Sequence, residues 1–335
     1  MLVDYHVHLE EGPYSFSWLE RTAKAIGHFQ GNEVQEYGSR AKVEHQVNQL
    51  HKRLNSGCFG EEWLDLYLKK AKQIGLKEVG VVDHLYRFKE TKHYFEKALN
   101  LDSTDSIGVL QSYWLQNVMT EKMDEFVDAI TAAKKRWEKE GVSLKLGIEA
   151  DYFVGQEPEL EALLQGKPWD YVIGSVHFVD GWGFDNPQTA SRFEKLDLEE
   201  LYTRFYKTVE KMIRSNMFDF VAHLDNLKVF DFKVNDESFN QKWYERIADA
   251  LKETNTATEV NAGLYYRYPV KEMCPSVDFL TTIVGKGVPI TLSSDSHFPD
   301  DLGKYVAENK KLLQQLGAPH IATFHQRERT LVQIQ

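Results

Sequence analysis

The sequence predicts an α/β fold, a barrel of parallel strands wrapped by helices, with its functional residues gathered at one end of the strands. Three observations carry this. Short runs rich in Val and Ile recur seven times along the 335 residues. Between them the apolar spacing changes to the period of a helix. Histidines and acidic residues collect where the runs stop. Strands alternating with helices are joined by crossovers, which keeps neighbouring strands parallel, and seven such strands suggest a barrel.

Taken in order, the strand candidates are Leu2–Val7, Glu78–Val82, Leu144–Ile148, Tyr171–Gly174, Phe218–Ala222, Ala257–Val260 and Val288–Leu292. Leu64, Leu68, Ala71 and Ile74 form a helical stripe stopped by Gly75. Residues 197 to 215 place Leu198, Leu201, Phe205, Val209 and Met212 on one face, and residues 236 to 252 do the same with Phe239, Trp243, Ile247 and Leu251 behind an Asp236 N-cap. Core packing accounts for all three stripes. Residues 27–60 are polar and hold no strand candidate, so they read as an insertion or lid on a single domain spanning 1–335. Residues 102–117 read as a second loop excursion, and 319–335 as a C-terminal extension forming a short closing hairpin.

The composition, 42% hydrophobic and 27% charged, is that of a globular chain. Forty basic against fifty-one acidic residues leave a net charge of −11, which argues against nucleic acid as a partner while leaving room for a local basic pocket that takes a small anion. No apolar run is long enough to span a bilayer, and Asp4, Glu10 and Glu11 stand where a secretory leader would be basic and then apolar. Cys58 and Cys274 are the only cysteines and form no Cys-x-x-Cys pair, so a reducing cytoplasm is the expected compartment. The oligomeric state is left open.

Of the twelve histidines, His6, His8, His84, His177, His223 and His297 sit at or just after strand ends, where Asp83, Glu149, Asp225 and Asp295 also fall. In a parallel barrel these positions converge on the C-terminal face. His6 and His8 are two apart and point the same way along a strand, and paired imidazoles suit a divalent metal such as zinc, iron or manganese. Glu149 closes an apolar run, where a carboxylate without a cation is costly to bury. Asp295 and His297 repeat the alternation on the last strand. His28, His45, His51, His93, His320 and His325 read as solvated.

Together these residues resemble the PHP (polymerase and histidinol phosphatase) superfamily. The matching segments are Asp4-Tyr-His6-Val-His8, Val82-Asp83-His84, Gly147-Ile-Glu149 with Gly174-Ser-Val-His177, and Ser294-Asp295-Ser-His297, with His223 between the last two. GIEADYF, SVHF, AHLD and EVNAGLYYR look most like the histidinol-phosphate phosphatases. The resemblance implies a distorted (β/α)7 barrel with two or three divalent ions at the C-terminal face of the strands. His6, His8, Glu149 and Asp295 would hold the first ion. Glu149 would bridge to a second ion, held also by His177 and His223, while His84 and His297 would bind the third. A further histidine common after His-x-His in the family is absent, and Glu10 or Glu11 takes its place.

The implied activity is hydrolysis of a phosphoric monoester, L-histidinol phosphate, with Asp295, Glu149 and His297 as catalytic residues. Arg267, after the sixth strand, is the candidate for gripping the phosphate, because a guanidinium fork matches two phosphoryl oxygens. Arg192 and Arg87 stand behind it. Rival readings are a phosphoesterase of the same fold for a nucleotide or sugar phosphate, an amidohydrolase-type metal hydrolase, and a degenerate module kept for binding.

Overall fold

The computed structural model describes residues 1–29 and 39–334. In chain order the strands are β1 (Val3–His8), β2 (Glu78–Val82), β3 (Ser143–Asp151), β4 (Tyr171–Ser175), the two-residue hairpin strands β5 (Phe178–Val179) and β6 (Trp182–Gly183), β7 (Phe220–Val221), β8 (Ala257–Asn261) and β9 (Ile290–Ser293). Seven of them pair in parallel in the order β1-β2-β3-β4-β7-β8-β9. The sheet curls until its edges nearly meet. Val7 bridges Ser296, the His8 amide donates to the Ser296 carbonyl at 2.7 Å, and the Asp4 carboxylate accepts from the Ser294 and Gly303 amides, each at 2.9 Å.

Each predicted strand is present, Glu78–Val82 with the expected bounds and the others with shifted ends. β3 runs past the expected Ile148, so Glu149 and Asp151 stand on the strand itself. β9 starts after Pro289, which has no amide to give a ladder. The three helical stripes lie on Glu61–Ile74, Leu198–Arg214 and Glu237–Thr254, with apolar faces buried against the barrel. Asp197 caps the second by accepting from the Glu200 amide, Asp236 caps the third, and Gly75 ends the first at φ 76°. Inside the barrel Tyr171 fills the space left by two glycines. A Cβ on Gly147 would meet its ring at 2.5 Å.

The 102–117 segment corrects the sequence reading. Its turn-rich start ends at Asp105, which caps a helix over Ser106–Val118. That helix buries Leu115 and Val118, and Gln111 pins the β5–β6 hairpin through bonds to the Gly181 carbonyl and the Gly183 amide at 2.9 and 2.7 Å. Tertiary contacts therefore stabilise a helix that a row of Asp, Ser and Thr had masked. Of residues 27–60, 30–38 lie outside the described residues. Gly27 and His28 finish the helix Phe16–His28, and Arg40–Ser56 forms a helix packed against it.

The tail forms the expected hairpin, β10 (His320–His325) antiparallel to β11 (Glu328–Gln333). It closes the N-terminal end of the barrel, where Phe324 packs on Tyr5 and Phe220 and its amide donates to the Tyr5 hydroxyl at 2.9 Å. Among the described residues no helix is long and apolar enough to cross a membrane. Both cysteines are free and buried.

Candidate metal centre

At the opposite end, the strand termini bring the sequence-flagged residues to one point around Glu149. Its Oε2 lies 3.2 Å from His6 Nε2, 3.3 Å from His8 Nε2 and 2.8 Å from His84 Nδ1. Its Oε1 lies 3.0 Å from His223 Nε2 and 3.5 Å from His177 Nε2. Asp295 Oδ1 stands 3.8 Å from His8 Nε2, and His297 stacks on His8 with ring centroids 4.5 Å apart. All of these side chains are buried.

The donor set fits divalent cations. His6 Nε2 and His8 Nε2 approach to 3.0 Å, and His177 Nε2 and His223 Nε2 to 3.3 Å, so nitrogen lone pairs converge. Glu149 Oε2 and both ring nitrogens of His84 are buried without a hydrogen-bond partner. Among the described residues of this centre, three combinations have ligand atoms close enough to share one ion: His6, His8 and Asp295; His84, Glu149 and His177; and His8, His84 and His297. Burial alone would raise the Glu149 carboxyl, but His6, His84 and His177 outweigh it and hold it well below the usual carboxylate range. Burial and the neighbouring positive charges keep His8 and His297 well below the usual imidazole range.

Two carboxylates that sequence reasoning missed orient the imidazoles from behind. His6 Nδ1 lies 3.1 Å from Glu259 Oε2, and His177 Nδ1 lies 2.8 Å from Asp151 Oδ1, the arrangement that fixes the tautomer of a metal-binding histidine. Both carried a signal. Glu259 is a charge inside an apolar strand, as Glu149 is, and Asp151 is two residues beyond Glu149 on the same face.

Of the two candidates for the missing histidine, Glu11 joins the site. Its Oε2 is 3.1 Å from His297 Nε2 and its Oε1 is 4.0 Å from His84 Nε2. Glu10 does not. Its carboxylate turns away to Arg53, Arg87 and the Tyr14 hydroxyl. Arg87 likewise turns away from the centre. It is fully buried, donating to the Glu10 carbonyl and facing Asp83 and Glu121. Asp83 accepts from the His84 amide and Asp225 from Lys228, so neither acid joins the centre. The Arg192 guanidinium lies over the Trp182 ring, 5.0 Å from its centroid. Arg267 does reach the centre, with Nη2 2.9 Å from Asp295 Oδ2 and Nη1 2.7 Å from His297 Nδ1. Gly263 makes room for this pair, since a Cβ there would meet Asp295 Oδ2 at 2.4 Å. Glu11, Arg267 and His297 line one end of a cleft of about 910 Å³ that runs on past Tyr266, Asp300 and Tyr305.

The profile of the PHP domain matches residues 50–263. The chain belongs to the PHP family. A relative from Deinococcus radiodurans named "Probable histidinol-phosphatase" is 33% identical over 208 residues, covering 62% of this chain and 77% of that one. One of the same name from Clostridium acetobutylicum is 23% identical over 64% of this chain and 84% of its own. The crystal structure of histidinol phosphate phosphatase from Lactococcus lactis, complexed with zinc, L-histidinol and phosphate, superposes with a TM-score of 0.64 at 18% identity over 98% of both chains. That likeness in fold takes in β1 and β9, which lie outside the profile match.

Proposed function

We propose that this PHP protein is a metal-dependent phosphatase that hydrolyses L-histidinol phosphate to L-histidinol and phosphate. One observation carries the reading: a buried centre of His and carboxylate groups with cation-binding spacing, with the arginine Arg267 reaching it. The substrate name rests on the relatives from D. radiodurans and C. acetobutylicum. His6, His8, Glu149 and Asp295 would hold one ion, Glu149, His177 and His223 a second, and His84, His297 and Glu11 a third. Zinc, iron or manganese suit this mixed donor set.

Bound divalent ions supply an acidified water and positive charge against a phosphate dianion. The chain's own residues do the rest. Arg267 stays protonated, because Asp295, Tyr268, Tyr266 and Glu11 outweigh the burial that would lower it, and its fork grips phosphoryl oxygens. Arg267, His6 and His8 hold Asp295 ionised against the burial that would raise it, so Oδ1 takes the proton of the attacking water. The proton that Asp295 takes up then passes to the leaving alkoxide, and His297, beside both Arg267 and Glu11, would help hold the cation on that side.

The test is phosphate release by manganese- or zinc-loaded protein from histidinol phosphate, a sugar phosphate and a nucleotide. Histidinol phosphate is expected to lead in kcat/KM by about a hundredfold or more, the discrimination a site with matched polar contacts achieves. Equal rates on all three esters would remove the substrate assignment, and no release from any would remove the phosphatase. In ¹⁸O-water the label is expected in phosphate; label in the alcohol would mean C–O cleavage.

A further inference from the structure

The helix Arg40–Ser56 leaves Val43, Val47 and Leu54 exposed and sets Leu50 only partly against the core, and its single buried residue is an arginine. With Leu50 as its one apolar contact to the core, the helix adds little to core packing, and its buried arginine is the feature to explain. Arg53 reaches beneath the helix, sets its guanidinium over the Trp63 ring at 4.6 Å, and donates to the Glu10 carboxylate. Its target is the segment that leaves β1. That segment is clamped carbonyl by carbonyl. Tyr67 donates to the His8 carbonyl at 2.8 Å, Trp63 to that of Leu9 at 2.8 Å, and Arg87 to that of Glu10 at 2.5 Å. The Glu10 side chain is then held on one side by Arg53 and on the other by Arg87 and Tyr14. With Glu10 locked outward, the next residue faces the opposite way, and Glu11 meets His297 and His84.

We propose that Arg53 is a positioning residue: through Glu10 it fixes the backbone that aims the Glu11 carboxylate at His84 and His297, and so sets the affinity of the outermost cation site. This rests on the reading that Glu11 serves a cation there. Helix Arg40–Ser56 then acts as a brace on the metal centre. Removing Arg53 leaves Glu10 with Arg87 and Tyr14 as partners, so no buried charge is orphaned and the fold is expected to survive.

The experiment is calorimetric titration of Mn²⁺ into chelator-stripped protein, resolving the weakest binding step from the stronger ones. Arg53→Met is expected to weaken the weakest step by about 10- to 100-fold, the usual effect of removing a group that orients a ligand. The stronger steps should hold, and Arg53→Lys should recover part of the loss. Glu11→Gln should weaken the same step at least as much. If Glu11→Gln leaves that step intact, the reading of Glu11 as a cation ligand fails. If Glu11→Gln weakens it and Arg53→Met does not, the positioning role fails while that reading stands. Equal weakening of every step by Arg53→Met would mean a merely structural arginine and overturn the proposal. Should Arg53→Met not fold, Glu10→Gln keeps the shape and drops the charge that Arg53 grips. It carries the same expectation, and an unchanged weakest step in it overturns the proposal.

Discussion

At the N-terminal ends of the strands, Tyr5, Tyr171, Phe220 and Phe324 fill the barrel with ring centroids 5.2 to 5.8 Å apart, and the Tyr5 and Tyr171 hydroxyls are hydrogen-bonded. At the C-terminal ends the same strands bury imidazoles and carboxylates, some with unpartnered atoms, and hold His223 and Asp295 at φ 25° and 54° in the left-handed region. Backbone of that kind costs about 1–3 kcal/mol per residue outside glycine, and unpartnered buried polar atoms cost more. One end of the barrel therefore carries stability, while the other spends it on a site ready for cations. The two should be separable by mutation.

The largest effect is expected from Glu149→Gln. As the carboxylate shared by the whole centre, its loss should reduce bound metal and lower kcat/KM by about a thousandfold or more, while the chelated variant still unfolds cooperatively. Elemental analysis with phosphate-release kinetics checks the first part and a melting curve the second. Full activity in a chelated sample would dissolve the contrast between the ends. At the other pole, Phe324→Ala should cost about 3–5 kcal/mol by denaturant titration, as large aromatic truncations in a packed core do. Metal content and kcat/KM of the folded fraction should match the parent.

Arg267→Ala sharpens the comparison within the site end. It should lower kcat/KM by about tens to a thousandfold, roughly 2–4 kcal/mol, and leave metal content unchanged, which separates a phosphate ligand from a cation ligand. A variant that turns over substrate like the parent would move the phosphate contact to Arg192. The smallest of the four effects belongs to Asp151→Asn. With its carboxylate gone, His177 loses its orienting partner, and cation affinity should drop by about 10- to 100-fold with little change in unfolding free energy. A variant that lost stability and kept affinity would place Asp151 with the packing residues.

Much of this was legible locally. Strand runs, helix stripes and caps such as Asp236 depend on neighbours within a few residues, and the period of a strand puts His6 and His8 on one side without further information. Barrel geometry then carries strand-end residues to one face, so His84, Glu149, His177, His223, Asp295 and His297 could be grouped before any coordinates. What the sequence could not decide was every choice made by a distant partner. Glu10 and Glu11 are adjacent acids with equal local claims, and their opposite directions are set by Arg53 and Arg87, 43 and 77 residues away. The helix Ser106–Val118 wins over its loop-like start because Gln111 and the β5–β6 hairpin satisfy each other's polar groups. Arg87 and Arg267 both follow strand ends, and only packing buries one among carboxylates while leaving the other at the mouth of the cleft. Local pattern fixes which residues can reach the site. Which of them do is a matter of charge pairing across the fold, because a buried carboxylate or guanidinium settles where its partner stands.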